Sequence, residues 1–278
     1  MNGYYKIDAY ILRCITNLHA GSGGETNGIV DNTIQRDAAT GYPTIHATSL
    51  KGALREDFEM LKGIKDNALK QIFGNEPKPG VTQAQGEVRF FPAHLLCLPV
   101  RSNIRPFFRA VSVDILLKLQ SDLTVFGIEN TKLDDAIDRL IFNFDEKTTP
   151  QYLDDFGDKI VILEDEKAEY LSIEENHKVE LEKVFGTHLA IYPDGEAFNR
   201  LVKSLPVQAR NQLEKGESKN LWYEEYVPRE TKFYTFTAQP KSMDFSLSGN
   251  FQIGANATVG FGYTEFTSFP QSEKIEQE

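Results

Sequence analysis

Residues 5–15 alternate, with Tyr5, Ile7, Ala9 and Ile11 set against Lys6, Asp8 and Tyr10, which is the pattern of a strand buried on one face. At Leu18 the alternation gives way to a run of small and polar residues. From Leu50 the apolar spacing becomes three and four: Leu50, Ala53, Leu54, Phe58 and Leu61 make one stripe, and Lys51, Arg55 and Lys62 another. This predicts a helix starting at Thr48 or Ser49 and ending near Gly63, packed on one side and basic on the other. Gly52 stands where Glu or Gln would complete a capping box. A short apolar helix over 68–73 and a Pro/Gly/Gln loop over 75–86 follow.

Further along, residues 87–91 and 95–98 read as strands broken at Pro92, and 111–123 as an apolar helix in a section helical down to Phe144. The acidic stretch 150–182 holds one strand, 159–163, and runs into an amphipathic helix over 173–185. A strand over 189–192 and a helix over 197–205 come next. Residues 207–213 and 221–226 flank a Gly/Lys/Glu loop as a hairpin too polar for a core. A strand over 233–238, a Gly/Asn-rich tail over 251–261 and a strand opening at Gly262-Tyr263 complete the pattern, with 268–278 frayed. The order predicts an α+β fold: a ferredoxin-like or RRM-like core spanning 1–278, with a helical and acidic insertion over 100–185 and a protruding β-hairpin over 205–232. A doubly wound parallel sheet fits less well, because its strands would be continuous apolar runs rather than alternating ones.

Composition adjusts this picture at three points. With 40% hydrophobic and 26% charged residues among 278, the chain has the make-up of a soluble globular protein. No apolar run approaches the roughly 20 residues of a membrane helix, and MNGYYKIDAY has no signal-peptide pattern, so a cytoplasmic protein without a membrane partner is expected. Cys14 and Cys97 fit no metal spacing and are expected as reduced core residues. A net charge of −11 argues at first against a nucleic-acid partner. The charge is uneven, however: residues 1–120 hold 14 Lys and Arg against 11 Asp and Glu, while 131–185 hold 7 against 16. A mildly basic part beside a remote acidic one is compatible with RNA binding.

The candidate chemistry gathers between His19 and Arg55. Six glycines (Gly21, Gly23, Gly24, Gly28, Gly41, Gly52) allow close backbone approach, and the helix start near Ser49 offers unpaired N–H groups to an anion. The spacing is neither that of a P-loop nor that of a dinucleotide-binding motif. A second small-residue segment, Gly254-Ala255-Asn256-Ala257-Thr258-Val259-Gly260-Phe261-Gly262, lies at the other end of the chain. First and last strands can be neighbours in a ferredoxin-like fold, so the two segments are expected to meet. Asp31 is the leading catalytic candidate: a carboxylate beside a phosphodiester can hold a divalent ion or help deprotonate a 2′-hydroxyl. It can also be a turn or edge-strand aspartate bonding its own backbone. His19 is placed for acid–base work or for a structural hydrogen bond. Trp222-Tyr223-Glu224-Glu225-Tyr226 supplies stacking aromatics and a second carboxylate, with Trp222, Glu224 and Tyr226 on one face.

The elements HAGSGGETNGIVDNTIQRDAATGYP, SLKGALR, LLCLPVRS, LWYEEYVPRETKFY and QIGANATVGFGY, in that order, resemble the backbone subunit of the type III-B CRISPR RNA-guided effector, the Cmr complex, within the RAMP superfamily. The resemblance implies copies stacked in a filament along a guide RNA, alongside other subunits of the effector. Each copy would cleave complementary single-stranded target RNA in antiviral defence, with a divalent ion such as Mg or Mn. It implies Asp31 as catalytic residue and metal ligand, His19, Glu224 and Tyr226 as auxiliary positions, and the hairpin as a thumb between nucleotides. Guide contacts would come from the Gly-rich stretch, the SLKGALR helix and the tail: Arg36, Ser49, Lys51, Arg55, Gly254, Asn256, Gly260 and Gly262. Thr33 stands where the family's VDxPIQR motif has proline, and His46-Ala47-Thr48 replaces Pro-Gly-Ser. The alternatives are a guide-binding scaffold that does not cut and a guide-processing RAMP endonuclease relying on histidine without metal.

Overall fold

A computed structural model describes residues 4–24, 28–60, 66–75, 84–144 and 148–271. In chain order the first elements are β1 (Tyr5–Cys14), β2 (Thr44–Ile45), α1 (Ala47–Met60), α2 (Asp66–Phe73), β3 (Arg89–Phe90), β4 (Ala93–Val100) and β5 (Phe108–Ser112). Then come α3 (Val113–Phe126), α4 (Thr131–Phe142), β6 (Gln151–Tyr152), β7 (Val161–Leu163), β8 (Glu166–Tyr170), α5 (Glu175–Phe185), β9 (Leu189–Tyr192) and α6 (Gly195–Lys203). The last are β10 (Val207–Glu214), β11 (Glu217–Glu225), β12 (Lys232–Pro240), β13 (Gly249–Gln252) and β14 (Tyr263–Ser268). They form two compact units, one from residues 1–94 and 205–268, the other from 95–204 and 269–278.

In the first unit β1 lies between two antiparallel partners. It pairs with β12 from Tyr5↔Pro240 to Arg13↔Lys232, and with β14 from Tyr10↔Ser268 to Cys14↔Thr264. First and last strands are thus neighbours, as the α+β reading expected. The simple alternation of β1 does not hold over its second half, where Ala9, Tyr10, Ile11 and Leu12 are all buried, because both faces of the strand are covered there. The helix α1 packs against β13 and β3 with Leu50, Leu54 and Phe58 buried. Phe58 meets the rings of Phe73, Phe245 and Phe251 at centroid distances of 5.6–5.8 Å. The helix opens at Ala47, slightly before the expected Thr48, because the His46 carbonyl accepts the Leu50 N–H at 2.9 Å. Its expected end at Gly63, Lys62 of its basic stripe and most of the 75–86 loop lie outside the described residues. Buried Asp57 accepts the Gln252 N–H at 2.8 Å and ties α1 to β13.

The hairpin of β10 and β11 is longer than the sequence suggested. Its turn is only Lys215-Gly216, both left-handed (φ 52° and 87°), the conformation that matches strand twist in a two-residue hairpin. A register shift follows Gln212. Nearly every residue of β10 is exposed, so the hairpin is no part of a core.

The second unit holds β5 to β9 and most of β4. β5 pairs antiparallel with β4 and parallel with β9, and β6, β8 and β7 continue outward from β9. The acidic stretch, expected to hold one strand, holds β6 and β8 besides β7; β8, with the sequence EKAEY, buries only Ala168 and shows no apolar pattern to betray it. The helix expected over 111–123 starts at Val113, since Val111 and Ser112 belong to β5 and the Ser112 hydroxyl accepts the Ile115 N–H as its cap. Cys14 and Cys97 are buried and not joined in a disulfide, as expected of reduced core residues.

Candidate active site

The site is assembled in the first unit around the base of β11. Asp31 is exposed, and its Oδ2 accepts the Tyr223 N–H at 2.7 Å. The backbone N–H groups of Asp31 and Asn32 both donate to the Tyr223 carbonyl at 3.1 Å, and the Glu225 N–H donates to the Asn32 carbonyl at 2.9 Å. The 31–32 segment thus lies against β11 like a short extra strand, with Asn32 opposite Glu224. The Asp31 carboxylate bonds to a strand 192 residues away, an edge-strand setting.

Glu224 is buried, and both of its oxygens are occupied. Oε1 accepts from Trp222 Nε1 at 2.8 Å and Asn32 Nδ2 at 3.3 Å; Oε2 accepts from Asn256 Nδ2 at 2.8 Å and Arg210 Nε at 3.1 Å. Burial alone would raise the carboxyl's pKa, but the bonds from Trp222, Arg210 and Asn256 hold it below the ordinary range. Glu225, the next residue, is buried as well. It accepts the Ile34 N–H at 3.1 Å and pairs with Arg36. Alternation placed these two carboxylates on opposite faces, and both faces are covered, so neither side chain reaches open solvent.

His19 stands where β1 has ended. Its Nδ1 lies 2.6 Å from the Glu225 carbonyl oxygen, which can only accept, so Nδ1 carries the proton and Nε2 of the neutral ring is an acceptor. A Cβ added to Gly21 would come within 3.0 Å of that Nε2. The His19 carbonyl accepts the Ala255 N–H at 2.9 Å, and a Cβ on Gly254 would lie 2.4 Å from the same oxygen. The Gly262 N–H donates to the Asn17 carbonyl at 2.7 Å. The two Gly-rich segments therefore meet, as expected. Asn256, left-handed at φ 67°, turns its amide onto Glu224, and Gly260 closes a 3-10 turn over Ala257–Val259 on the exposed side.

The guide-contact candidates divide. Ser49 Oγ accepts from Gln35 Nε2 at 2.8 Å; the same nitrogen donates to the Gly21 carbonyl at 3.0 Å, and Gln35 Oε1 accepts the His46 N–H at 2.7 Å. One amide thus links the start of α1 to the glycine stretch. Lys51 is half-buried, and burial first, then the neighbouring charge of Arg55, lowers its pKa. Arg55 donates to the Gly74 carbonyl at 2.8 Å beyond the end of α2, and Arg36 is held by Glu225 and the Gly41 carbonyl. Tyr226 packs edge-on against Phe261 at 5.6 Å. Gln35, Arg210 and the role of Glu225 were not signalled by the sequence. Their partners lie far along the chain, and nothing local marks them.

The pattern of the RAMP superfamily matches residues 11–265. The chain belongs to the RAMP superfamily. It is 33% identical over 292 residues to the CRISPR system Cmr endoribonuclease Cmr4 of Pyrococcus furiosus, covering 95% of each, which places it with the Cmr4 proteins of that superfamily. It is 23% identical over 307 residues to the CRISPR system CMR subunit Cmr4 of Saccharolobus solfataricus, covering 95% of this chain and 97% of that one. A RAMP fold is also seen in a chain of the type III-B Cmr-beta complex bound to cognate target RNA, with TM-score 0.75, 23% identity, and 95% and 98% coverage. Oligomeric Cmr4 from Pyrococcus furiosus gives TM-score 0.66 at 23% identity, with 96% and 98% covered. No helix among the described residues is long and apolar enough to cross a membrane.

Proposed function

We propose that this chain is the repeating subunit of a type III-B RNA-guided effector, that it binds guide RNA and stacks with copies of itself in the cytoplasm, and that it cleaves the paired target RNA through Asp31. The observation that carries the reading is the setting of that residue: an exposed carboxylate that accepts the Tyr223 N–H, in a segment whose residue 31 and 32 N–H groups donate to the Tyr223 carbonyl, beside two converged Gly-rich segments. Likeness to a named endoribonuclease over 95% of the chain supports the same conclusion. Among the described residues no three His, Cys, Asp or Glu side chains gather closely enough to hold a metal ion. Asp31 would thus be the chain's own ligand to a divalent ion, an all-oxygen donor that suits Mg or Mn, which take few protein carboxylates and complete their shell with phosphate and water. Such an ion, when bound, neutralises charge developing on the phosphodiester. Of the chain's own groups, Asp31 orients toward the strand, and His19 offers Nε2 as a proton acceptor behind Gly21. Glu224 and Asn256 fix the loops between them.

The test is cleavage by reconstituted complex carrying Asp31→Ala. Guide and target binding are expected to stay intact while cutting falls by about 10²-fold or more. Cutting at the native rate would remove Asp31 from the chemistry. Retained cleavage in excess EDTA would exclude the metal, and a native complex that binds target without cutting it would favour the scaffold reading.

A further inference from the structure

Arg210 is the residue of the hairpin that points back into the site. It stands on β10 opposite Trp222, and its side chain is 15% exposed. Nε donates to Glu224, the guanidinium lies 4.7 Å from the centre of the Phe261 ring, and Phe261 in turn packs on Tyr226. Nη2 is buried with no hydrogen-bond partner. Keeping an arginine there with one donor unmet is costly, and a salt bridge so placed is poor evidence of a stabilising role. Its geometry suits a different purpose.

Glu224 is surrounded by N–H donors from four segments: Trp222 on its own strand, Arg210 on β10, Asn256 on the tail, and Asn32, the residue after Asp31. A carboxylate so occupied does not shuttle protons. It is a knot, and Arg210 is its only cationic donor among these four. We propose that Arg210 is a positioning residue for strand cleavage: by holding the Glu224 side chain in place, it sets the Asn32 side chain and hence the Asp31 carboxylate against the target. The proposal rests on the reading of Asp31 given above. It makes the hairpin part of the cutting apparatus through its inner face, separately from any contact its outer face makes with RNA.

The experiment is a double-variant cycle in the reconstituted complex, with Arg210→Gln and Glu224→Gln, measuring target affinity and the cleavage rate at saturating target. Arg210→Gln is expected to leave affinity within about twofold and to lower the saturated rate about tenfold, because a sub-ångström displacement of a reacting group suffices for that. The double variant is expected to be no slower than Glu224→Gln alone, since both changes break one contact. Arg210→Lys, which keeps the charge and one donor, is expected between native and Arg210→Gln, and replaces it in the cycle if the glutamine variant does not assemble. Multiplying losses would overturn the proposal. So would a loss of affinity at unchanged saturated rate, which would make Arg210 an RNA contact. An Asp31→Ala complex that still cuts would instead overturn the parent reading, whatever the outcome of the cycle.

Discussion

The two Gly-rich segments look alike as strings of letters and differ in why glycine is there. In the first, a Cβ added to Gly23, which is left-handed (φ 75°), or to Gly24 or Gly28 would meet nothing among the described residues within 4 Å, and only Gly21 faces a neighbour, His19 Nε2 at 3.0 Å. In the second, Gly254 and Gly262 are left-handed (φ 79° and 78°), and a Cβ on them would lie 2.4 Å from the His19 carbonyl oxygen and 2.0 Å from the Ile253 carbonyl oxygen. The tail uses glycine so that backbone can press against backbone. The first stretch uses it to stay low beside a surface left open. Glycine enrichment alone therefore does not reveal a ligand; the space around each residue does.

The comparison can be broken most easily at its strongest point. Gly262→Ala is expected to cost about 2–5 kcal/mol, from a forced left-handed alanine plus overpacking against backbone, and to appear as a large drop in the urea midpoint. A midpoint near native would show that the tail is not held by close approach. Gly21→Ala is expected to act at an intermediate level: stability changes by about 1 kcal/mol or less, while the cleavage rate falls several-fold as the methyl crowds Nε2 of His19. An unchanged rate would show that access to Nε2 does not matter. Gly28→Ala, in open space, is expected to leave cleavage as it was and stability within about 1 kcal/mol, with a slight gain possible from a stiffer unfolded chain. A marked loss of guide affinity in that variant would show instead that the empty space is filled by RNA.

Much of the architecture was legible from local pattern. The alternation of residues 5–15, the 3.6-residue stripe from Leu50 and the polar hairpin each declare themselves within about ten residues, and the α+β order led to β1 beside β14 and so to the meeting of the glycine segments. The site's internal wiring was not legible. Period-two alternation predicts one face in and one face out, and it fails at Glu224-Glu225 because Asn256 and Arg210 cover one face while Ile34 and Arg36 meet the other. Gln35 looks like any polar loop residue until its amide is seen to span Gly21, His46 and Ser49. β8 escaped because three charges in five residues hide a strand that buries a single alanine. Pairings across nearly 200 residues leave no trace in any short window.

Tyr223 sits near the root of an arm whose β10 strand, at eight residues and about 3.3 Å each, is roughly 26 Å long. The N–H that grips the Asp31 carboxylate belongs to this arm. Three more backbone bonds join the arm to the same segment, two from the Asp31 and Asn32 N–H groups to the Tyr223 carbonyl and one from the Glu225 N–H to the Asn32 carbonyl. The hairpin and the proposed cutting residue are therefore one mechanical unit, and a displacement of the arm would carry the Asp31 carboxylate with it.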